Sequence, residues 1–118
     1  GVVGIGPDVR RGDCAAALRA PRHASLWQLA AAEGLATGIV TTTRVTHATP
    51  AAPFAHLPDR NWESDADLPT AAREAGCVDI ARQMVEGAHV PDVLLGGGRG
   101  PFMPATQADP EHAGKSGL

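Results

Sequence analysis

A chain of 118 residues that is 43% hydrophobic is long enough to bury a modest core and too apolar to be intrinsically disordered. Its net charge of -3, with acidic and basic residues interspersed, argues against a surface that binds nucleic-acid phosphates. The sequence has neither a run of about 18 apolar residues nor a leader-like opening, so we expect no membrane span and no signal peptide in it.

Two helices are predicted in the first third of the chain. Residues 1–22 indicate a loop that contains one turn of helix over residues 14–19. Ser25 and Gln28 have the spacing of a capping box, in which each side chain accepts a hydrogen bond from the other residue's backbone N–H. A helix is therefore expected to begin after Ser25 and to end at Gly34.

Residues 38–43 predict a strand buried in a parallel sheet, because they open with glycine and continue with β-branched side chains. Arg44, His47 and Thr49 follow its carboxyl end, which is the edge of an α/β sheet where ligands usually bind. His47 and Thr49 are separated by one residue. In an extended segment their side chains would share one side and could face the same site.

The residues alone leave the roles of these side chains open. The Thr49 hydroxyl is a hard oxygen donor that suits Mg²⁺, but a turn or a cap before Pro50 is the more common role. His47 could lie beside a metal, although a lone histidine near a loop is more often exposed or hydrogen-bonded. Arg60 could bind a phosphate with two parallel donors, whereas solvation or ion pairing is the default, and more strongly so for Arg44.

The second half predicts helix and then strand. A turn of helix is expected over residues 51–55, followed by a longer helix over residues 69–86 that Gly76 bends or interrupts. Residues 90–95 predict the next buried strand, with Pro91 at its start, where no ladder donor is needed. A helix followed by a strand on each side of the loop favours an α/β fold.

Three further features carry both a chemical and a structural interpretation. Residues 96–99, Gly-Gly-Gly-Arg, match neither common phosphate-binding spacing and indicate a strand exit with close backbone approach. Asp65 and Asp67 could bind a cation but are more typical of turn chemistry. Cys14 and Cys77 are too few for a cysteine zinc site and are either two buried thiols or one long-range disulfide.

Taken together, these segments resemble the alkaline phosphatases in order and in spacing. The resemblance covers roughly residues 34–103. The chain resembles the animal-type branch of the family, because His47 stands where some bacterial members carry aspartate. The segments are VTTTRVTHATP at 40–50, AH at 55–56 with RNW at 60–62, SDAD at 64–67, EAGCVDIA at 74–81 and LLGGGR at 94–99.

The resemblance implies a fold and an activity. The fold is a three-layer α/β/α sandwich around a central, mostly parallel sheet, of which residues 1–118 form a partial domain that is truncated at both ends. The activity is hydrolysis of small-molecule phosphate monoesters through a phosphoserine intermediate, with two Zn²⁺ and one Mg²⁺ as cofactors. The family further implies a homodimer and a periplasmic, secreted or membrane-anchored location.

The resemblance also assigns roles to individual residues. Thr49 matches the hydroxyl ligand of the magnesium, and His47 matches a residue beside that metal. Arg60 matches the arginine that binds the substrate phosphate. Cys14 and Cys77 match a disulfide pair of the family.

None of the serines, Ser25, Ser64 and Ser116, stands in the motif of the family's nucleophile. We expect that serine just upstream of Gly1, and the zinc ligands outside this chain as well. The isolated chain is therefore expected to be an inactive internal fragment. The alternative is a small non-catalytic α/β module that keeps an anion- or magnesium-binding loop.

Overall fold

The structure, a computed structural model, describes residues 1–88, 90–104, 106, 107 and 110. This part of the chain contains both helices and strands, as the sequence predicts for an α/β fold. No helix in the described ranges is both long and apolar enough to cross a membrane. The elements are α1 (Cys14–Arg19), α2 (Leu26–Ala32), β1 (Gly38–Arg44), α3 (Ala48–Ala51), α4 (Thr70–Glu74), α5 (Ile80–Glu86) and β2 (Val93–Gly97), with 3₁₀ turns at Asp65–Asp67 and Gly100–Phe102.

β1 and β2 pair in parallel, and α3, α4 and α5 lie in the connection between them. A parallel pair needs such a long crossover, because the chain must return to the end at which the first strand began. The α/β class with a parallel sheet is confirmed. The register pairs are Gly38 with Val93, Ile39 with Leu94, Val40 with Leu95 and Arg44 with Gly97, with an irregularity between the last two pairs.

β2 begins later than the predicted strand at 90–95, and that boundary was wrong. The Asp92 carboxylate accepts the Thr37 N–H at 2.7 Å, and the Asp92 N–H donates to the Thr37 carbonyl at 2.9 Å. These two hydrogen bonds, here called the Asp92–Thr37 clasp, join the two residues ahead of the strand ladder. Regular pairing therefore starts at Val93. Sequence periodicity does not reveal a clasp between residues that are so far apart along the chain.

The glycines at the end of β2 allow close backbone approach, as the sequence indicates. A Cβ atom on Gly96 would lie 2.6 Å from Val45 Cγ1 and 2.8 Å from Thr41 Cγ2. Real Cβ atoms do not approach other atoms so closely, and only glycine therefore fits beside β1 here. Gly98 follows with a φ of 84°, which lets the chain turn away against Arg44.

The capping box of α2 is present. The Ser25 hydroxyl accepts the Gln28 N–H at 3.1 Å, and the Gln28 side chain accepts the Ser25 N–H at 3.0 Å. Both bonds satisfy donors that a helix start otherwise leaves unpaired. The chain leaves the helix through Gly34, whose φ of 79° is the left-handed conformation that glycine favours.

The predicted helix over residues 69–86 is two helices, α4 and α5, broken at residues 75–79. Gly76 has a φ of 91°, which no α-helix accommodates, and its predicted interruption is confirmed. Asp79 then caps α5 by accepting the Arg82 N–H at 2.9 Å. The apolar face predicted for this stretch is buried and consists of Cys77, Ile80, Ala81 and Met84.

α3 occupies residues Ala48–Ala51 rather than the predicted 51–55, and this correction concerns the site directly. Thr49 lies in the first turn of this helix, and His47 is the residue that precedes it, so the two are not neighbours on one side of an extended segment. Pro50 does not prevent the helix, because the N–H groups of a first turn have no acceptor within the helix.

The core is built mainly from the amino-terminal segment, the chain around residues 51–57, and α5. The two strands were predicted to be buried, and this was wrong, because most of their residues are exposed. Leu57, Ile80 and Met84 are at most 1% exposed. Leu57 also pairs with Val3 in an antiparallel bridge, with N–H to carbonyl distances of 2.9 and 3.0 Å. The opening segment, predicted as loop, thus contributes buried apolar side chains to the core.

Cys14 and Cys77 form a disulfide, and their Cα atoms are 5.9 Å apart. The pairing that the resemblance implies is therefore present. It joins the start of α1 to the segment between α4 and α5, and the two cysteines are 63 residues apart along the chain. A bridge that closes such a long loop restricts the unfolded chain strongly.

We expect the Cys14→Ala, Cys77→Ala double variant of the protein to lose about 4 kcal/mol of unfolding free energy in the chain-entropy model. Denaturant unfolding under oxidising conditions measures this difference. Full reduction should bring the wild type close to the variant, because reduction removes the same constraint. A non-reducing peptide map that finds both thiols free would contradict the pairing.

Candidate functional site

The carboxyl exit of β1 is held rigidly where it leads into α3. The Val45 N–H donates to the Gly97 carbonyl at 3.0 Å, and the His47 N–H donates to the Arg44 carbonyl at 3.0 Å. Val45 is buried, at 6% exposure. The backbone position of His47 is therefore set by the sheet.

Glu63 binds this exit through three hydrogen bonds. Its carboxylate accepts Arg44 Nε at 2.8 Å and Nη2 at 2.7 Å, and it accepts the Thr46 hydroxyl at 2.6 Å. The Arg44 hydrogen bond lowers the pKa of Glu63, opposed by burial and assisted by Thr46. The same bond raises the pKa of Arg44. Arg44 is therefore ion-paired, as the default interpretation of its sequence context holds.

The loop that carries Arg60 is fixed on both sides of that residue. Before it, Leu57 is bound to Val3 in the antiparallel bridge. After it, the Trp62 carbonyl accepts the Ile80 N–H at 2.9 Å, one of the unpaired donors at the start of α5. Trp62 itself is 4% exposed. Arg60 thus projects from a well-anchored loop.

The Arg60 guanidinium is exposed and contacts His47, with 3.1 Å between Nη2 and Nε2. Within the described residues Arg60 makes no ion pair with a carboxylate. Its neighbour Asp59 is instead paired with Arg11 at 2.8 Å. Burial raises the pKa of Asp59, but the hydrogen bonds from Arg11 and the Asn61 N–H bring it below its ordinary value. The positive charge of Arg60 is therefore not neutralised by a carboxylate of the described residues, and it can bind another anion.

The contact with Arg60 fixes the tautomer of His47. A guanidinium has only donors, so His47 Nε2 must accept and the ring proton must lie on Nδ1. Nδ1 is buried and has no hydrogen-bond partner among the described residues. A buried donor without a partner is costly and is a position where a further group is expected to bind.

The Thr49 hydroxyl is exposed and makes no hydrogen bond within the described part of the chain. The residue before α3, His47, gives no side-chain cap. The turn or cap that spacing alone favours for Thr49 is therefore not formed. Its oxygen is available to a ligand outside this chain.

The described residues do not form a complete metal site by themselves. No three histidine, cysteine, aspartate or glutamate side chains in these ranges are grouped so that they could hold a metal ion. Asp67 is used in turn chemistry, because its carboxylate accepts the Ser64 N–H and hydroxyl, both at 2.9 Å. A surface cavity between α1, α2 and α5 has a volume of about 730 Å³, but Arg60, His47 and Thr49 do not line it.

Two of the serines have structural roles. The Ser25 hydroxyl donates to the Pro53 carbonyl at 2.6 Å while it caps α2. The Ser64 hydroxyl donates to Asp67 at 2.9 Å. Ser116 lies outside the described residues. Neither described serine is placed at the exit of β1 as a nucleophile would be.

Sequence reasoning missed Glu63 and Thr46. A glutamate in a polar loop resembles any solvated surface residue, and one hydroxyl among several threonines carries no distinguishing pattern. The only available signal was Arg44, a cation that needed an acidic partner. The structure brings that partner from 19 residues away.

Comparison with known proteins gives the class of the chain. The family model for alkaline phosphatase matches residues 2–117, and the chain belongs to that family. The predicted resemblance is confirmed. The roles that it implies for Thr49, His47 and Arg60 stay predictions.

Individual relatives come from vertebrates and insects. The chain is 46% identical over 112 residues to the tissue-nonspecific alkaline phosphatase of Gallus gallus, covering 95% of this chain and 21% of the relative. It is 52% identical over 82 residues to an alkaline phosphatase of Gadus morhua, covering 70% of this chain and 17% of the relative. It is 42% identical over 115 residues to the membrane-bound alkaline phosphatase of Bombyx mori, covering 94% and 21%. The chain thus spans about a fifth of the length of these curated relatives.

The lowered pKa of Glu63 predicts a pH-dependent contribution to stability. Because its folded pKa is below the unfolded value of about 4.3, the stabilisation is fully present above that pH and is lost as the pH falls through the folded pKa. Glu63→Gln should cost about 1 kcal/mol at pH 7, since the Arg44 side of the pair is screened by solvent. The difference from wild type in thermal unfolding should shrink below about pH 4. A difference that is constant between pH 7 and pH 3 would contradict this.

Proposed function

We propose that this chain is part of an alkaline phosphatase that hydrolyses phosphate monoesters through a phosphoserine intermediate, with Zn²⁺ and Mg²⁺ as cofactors. In this proposal the chain supplies Arg60 for the substrate phosphate and Thr49 and His47 for the magnesium side of the site. The nucleophilic serine and the zinc ligands belong to other parts of the protein.

The proposal rests on one observation: two arginines of this chain, which belongs to a phosphatase family, have different partners. Both lie near the carboxyl exit of β1. Arg44 uses two of its donors on a carboxylate that neutralises its charge, whereas Arg60 is exposed and its one side-chain contact is with the His47 imidazole. An arginine that is anchored by its backbone and not neutralised by a carboxylate is suited to bind an incoming anion.

Arg60 retains four of its five N–H donors after the contact with His47. Two parallel donors of a guanidinium match two non-bridging oxygens of a phosphate, and the group keeps its charge at alkaline pH. Holding the phosphate in one orientation favours in-line attack by the nucleophile. Lysine would supply the charge without the fork.

The residues at the start of α3 fit a hard cation. Thr49 offers an oxygen with no other hydrogen bond in the described residues, and the unpartnered Nδ1–H of His47 is a donor that suits an oxygen atom beside the cation rather than the cation itself. Thr49 would be a direct magnesium ligand, and His47 would act on that metal through water or a hydrogen bond. When bound, the metals supply Lewis acidity toward the phosphate oxygens and lower the pKa of the nucleophile.

The disulfide supports an oxidising location, because such bonds persist in secreted, periplasmic and cell-surface proteins. The relative from Bombyx mori is membrane-bound by name. We therefore infer a periplasmic, secreted or membrane-anchored parent protein. A homodimer is the assembly that the family resemblance implies.

Arg60→Ala tests the proposal in the full-length protein. We expect kcat/KM for an aryl phosphate to fall by roughly one to three powers of ten, the order of a lost pair of charge-assisted hydrogen bonds. Competitive inhibition by inorganic phosphate should weaken in parallel, because the product presents the same oxygens. Arg82→Ala is the matched control, since Arg82 is exposed and pairs with Glu86 on α5. Wild-type kinetics and phosphate inhibition in Arg60→Ala would show that Arg60 does not touch the substrate.

Thr49→Val tests the magnesium side, because it keeps the shape of the side chain and removes the oxygen. We expect magnesium affinity of the full-length protein to fall about tenfold, measured by calorimetric titration. His47→Asp should strengthen binding, because a carboxylate adds negative charge beside a hard cation. Thr70→Val, at the exposed start of α4, is the control. Unchanged affinity in Thr49→Val would leave Thr49 without a metal role.

A further inference from the structure

Glu63 connects three segments of the molecule. Its side chain binds Arg44 and Thr46 at the exit of β1, and its backbone carbonyl accepts the Ala81 N–H at the start of α5, at 3.0 Å. It also stands three residues after Arg60 in the same loop. The Glu63 side chain is 16% exposed and the Thr46 residue 0%, so the link is largely shielded from water.

These contacts close a ring around Arg60. The ring runs from Arg60 along the backbone to Glu63, across to the Thr46 hydroxyl, along the chain to His47, and back to Arg60 through the 3.1 Å contact. A closed ring restricts the guanidinium more than either contact alone. Both segments keep their backbone anchors when the Glu63 link is broken, but the orientation of the guanidinium then depends on the 3.1 Å contact with His47 alone.

We propose that Glu63 is a positioning residue that holds Arg60 in its phosphate-binding orientation by joining its loop to the exit of β1. This inference rests on the proposed function, because it requires Arg60 to bind substrate. Glu63 itself does not act on the substrate. Its two oxygens already accept three hydrogen bonds, and a free carboxylate would repel a phosphate.

The competing interpretation is that Glu63 only stabilises the fold. The two interpretations make different predictions. If Glu63 positions Arg60, the effect of Glu63 on catalysis requires Arg60, whereas a purely structural effect does not. A double-mutant cycle with Glu63→Gln and Arg60→Ala in the full-length, metal-loaded protein separates them. Glutamine keeps the size of the side chain, but it replaces one carboxylate oxygen with an NH₂ group that only donates and it loses the charge, so the hydrogen bonds from Arg44 and Thr46 cannot all form.

With Arg60 present, Glu63→Gln should lower kcat/KM for an aryl phosphate roughly 3- to 30-fold and weaken inhibition by inorganic phosphate to a similar extent. In the Arg60→Ala background the same change should cost less than about twofold, because the residue that it positions is gone. Thr46→Val cuts the ring at its other end and should show the same dependence on Arg60. It also serves as the second variant if Glu63→Gln does not fold.

Glu86→Gln is the matched control, since Glu86 forms a glutamate–arginine pair with Arg82 on the surface of α5 at 2.7 Å. It should leave kcat/KM and phosphate inhibition unchanged. Equal losses from Glu63→Gln in both backgrounds, or no loss in either, would overturn the positioning role while the phosphatase function stands. A full-length wild type that does not hydrolyse an aryl phosphate with Zn²⁺ and Mg²⁺ supplied would overturn both.

Discussion

The carboxylate of Glu63 is the contact on which the arrangement of the candidate site depends. It accepts three hydrogen bonds from the residues that follow β1, two from Arg44 and one from Thr46. Without it, the one side-chain polar contact left between the strand exit and the loop of Arg60, among the described residues, would be that of Arg60 with His47. Solvent competes little with the bond between the Glu63 carboxylate and the buried Thr46 hydroxyl, whereas the Arg44 side chain is 54% exposed and its part of the charge pair is screened.

Backbone hydrogen bonds from α5 also hold the loop that carries Arg60 in place. The break between α4 and α5 exposes the first N–H groups of α5, and the carbonyls of Trp62 and Glu63 accept from them at 2.9 and 3.0 Å. Gln83, one turn further along α5, accepts the His56 N–H at 2.9 Å. The loop between α3 and α4 is thus joined to α5 at His56, Trp62 and Glu63. A continuous helix over residues 69–86 would have left those carbonyls without these donors.

Sequence reasoning predicted the features that local patterns encode. The capping box of α2, the end of that helix near Gly34, the interruption at Gly76 and the close approach at Gly96 all follow from spacing or residue type. Contacts between distant residues were out of reach. The Asp92–Thr37 clasp moved the start of β2, and Glu63 gave no signal in its own loop. The sequence analysis placed the helical turn after Pro50 and so missed that Thr49 is helical, although Pro50 lies in a first turn where it costs no hydrogen bond.

The pairing of Arg60 with a neutral histidine also has a consequence at a distance. An arginine that faces a carboxylate forms a dipole, whose field fades quickly, whereas Arg60 beside a neutral imidazole remains a monopole on the surface. In a chain with a net charge of -3, such an isolated positive charge attracts anions from beyond contact range. Dissolved salt screens this attraction over about 10 Å at 0.1 M ionic strength. The local attraction of Arg60 for an anion should therefore be stronger in dilute buffer than in concentrated salt.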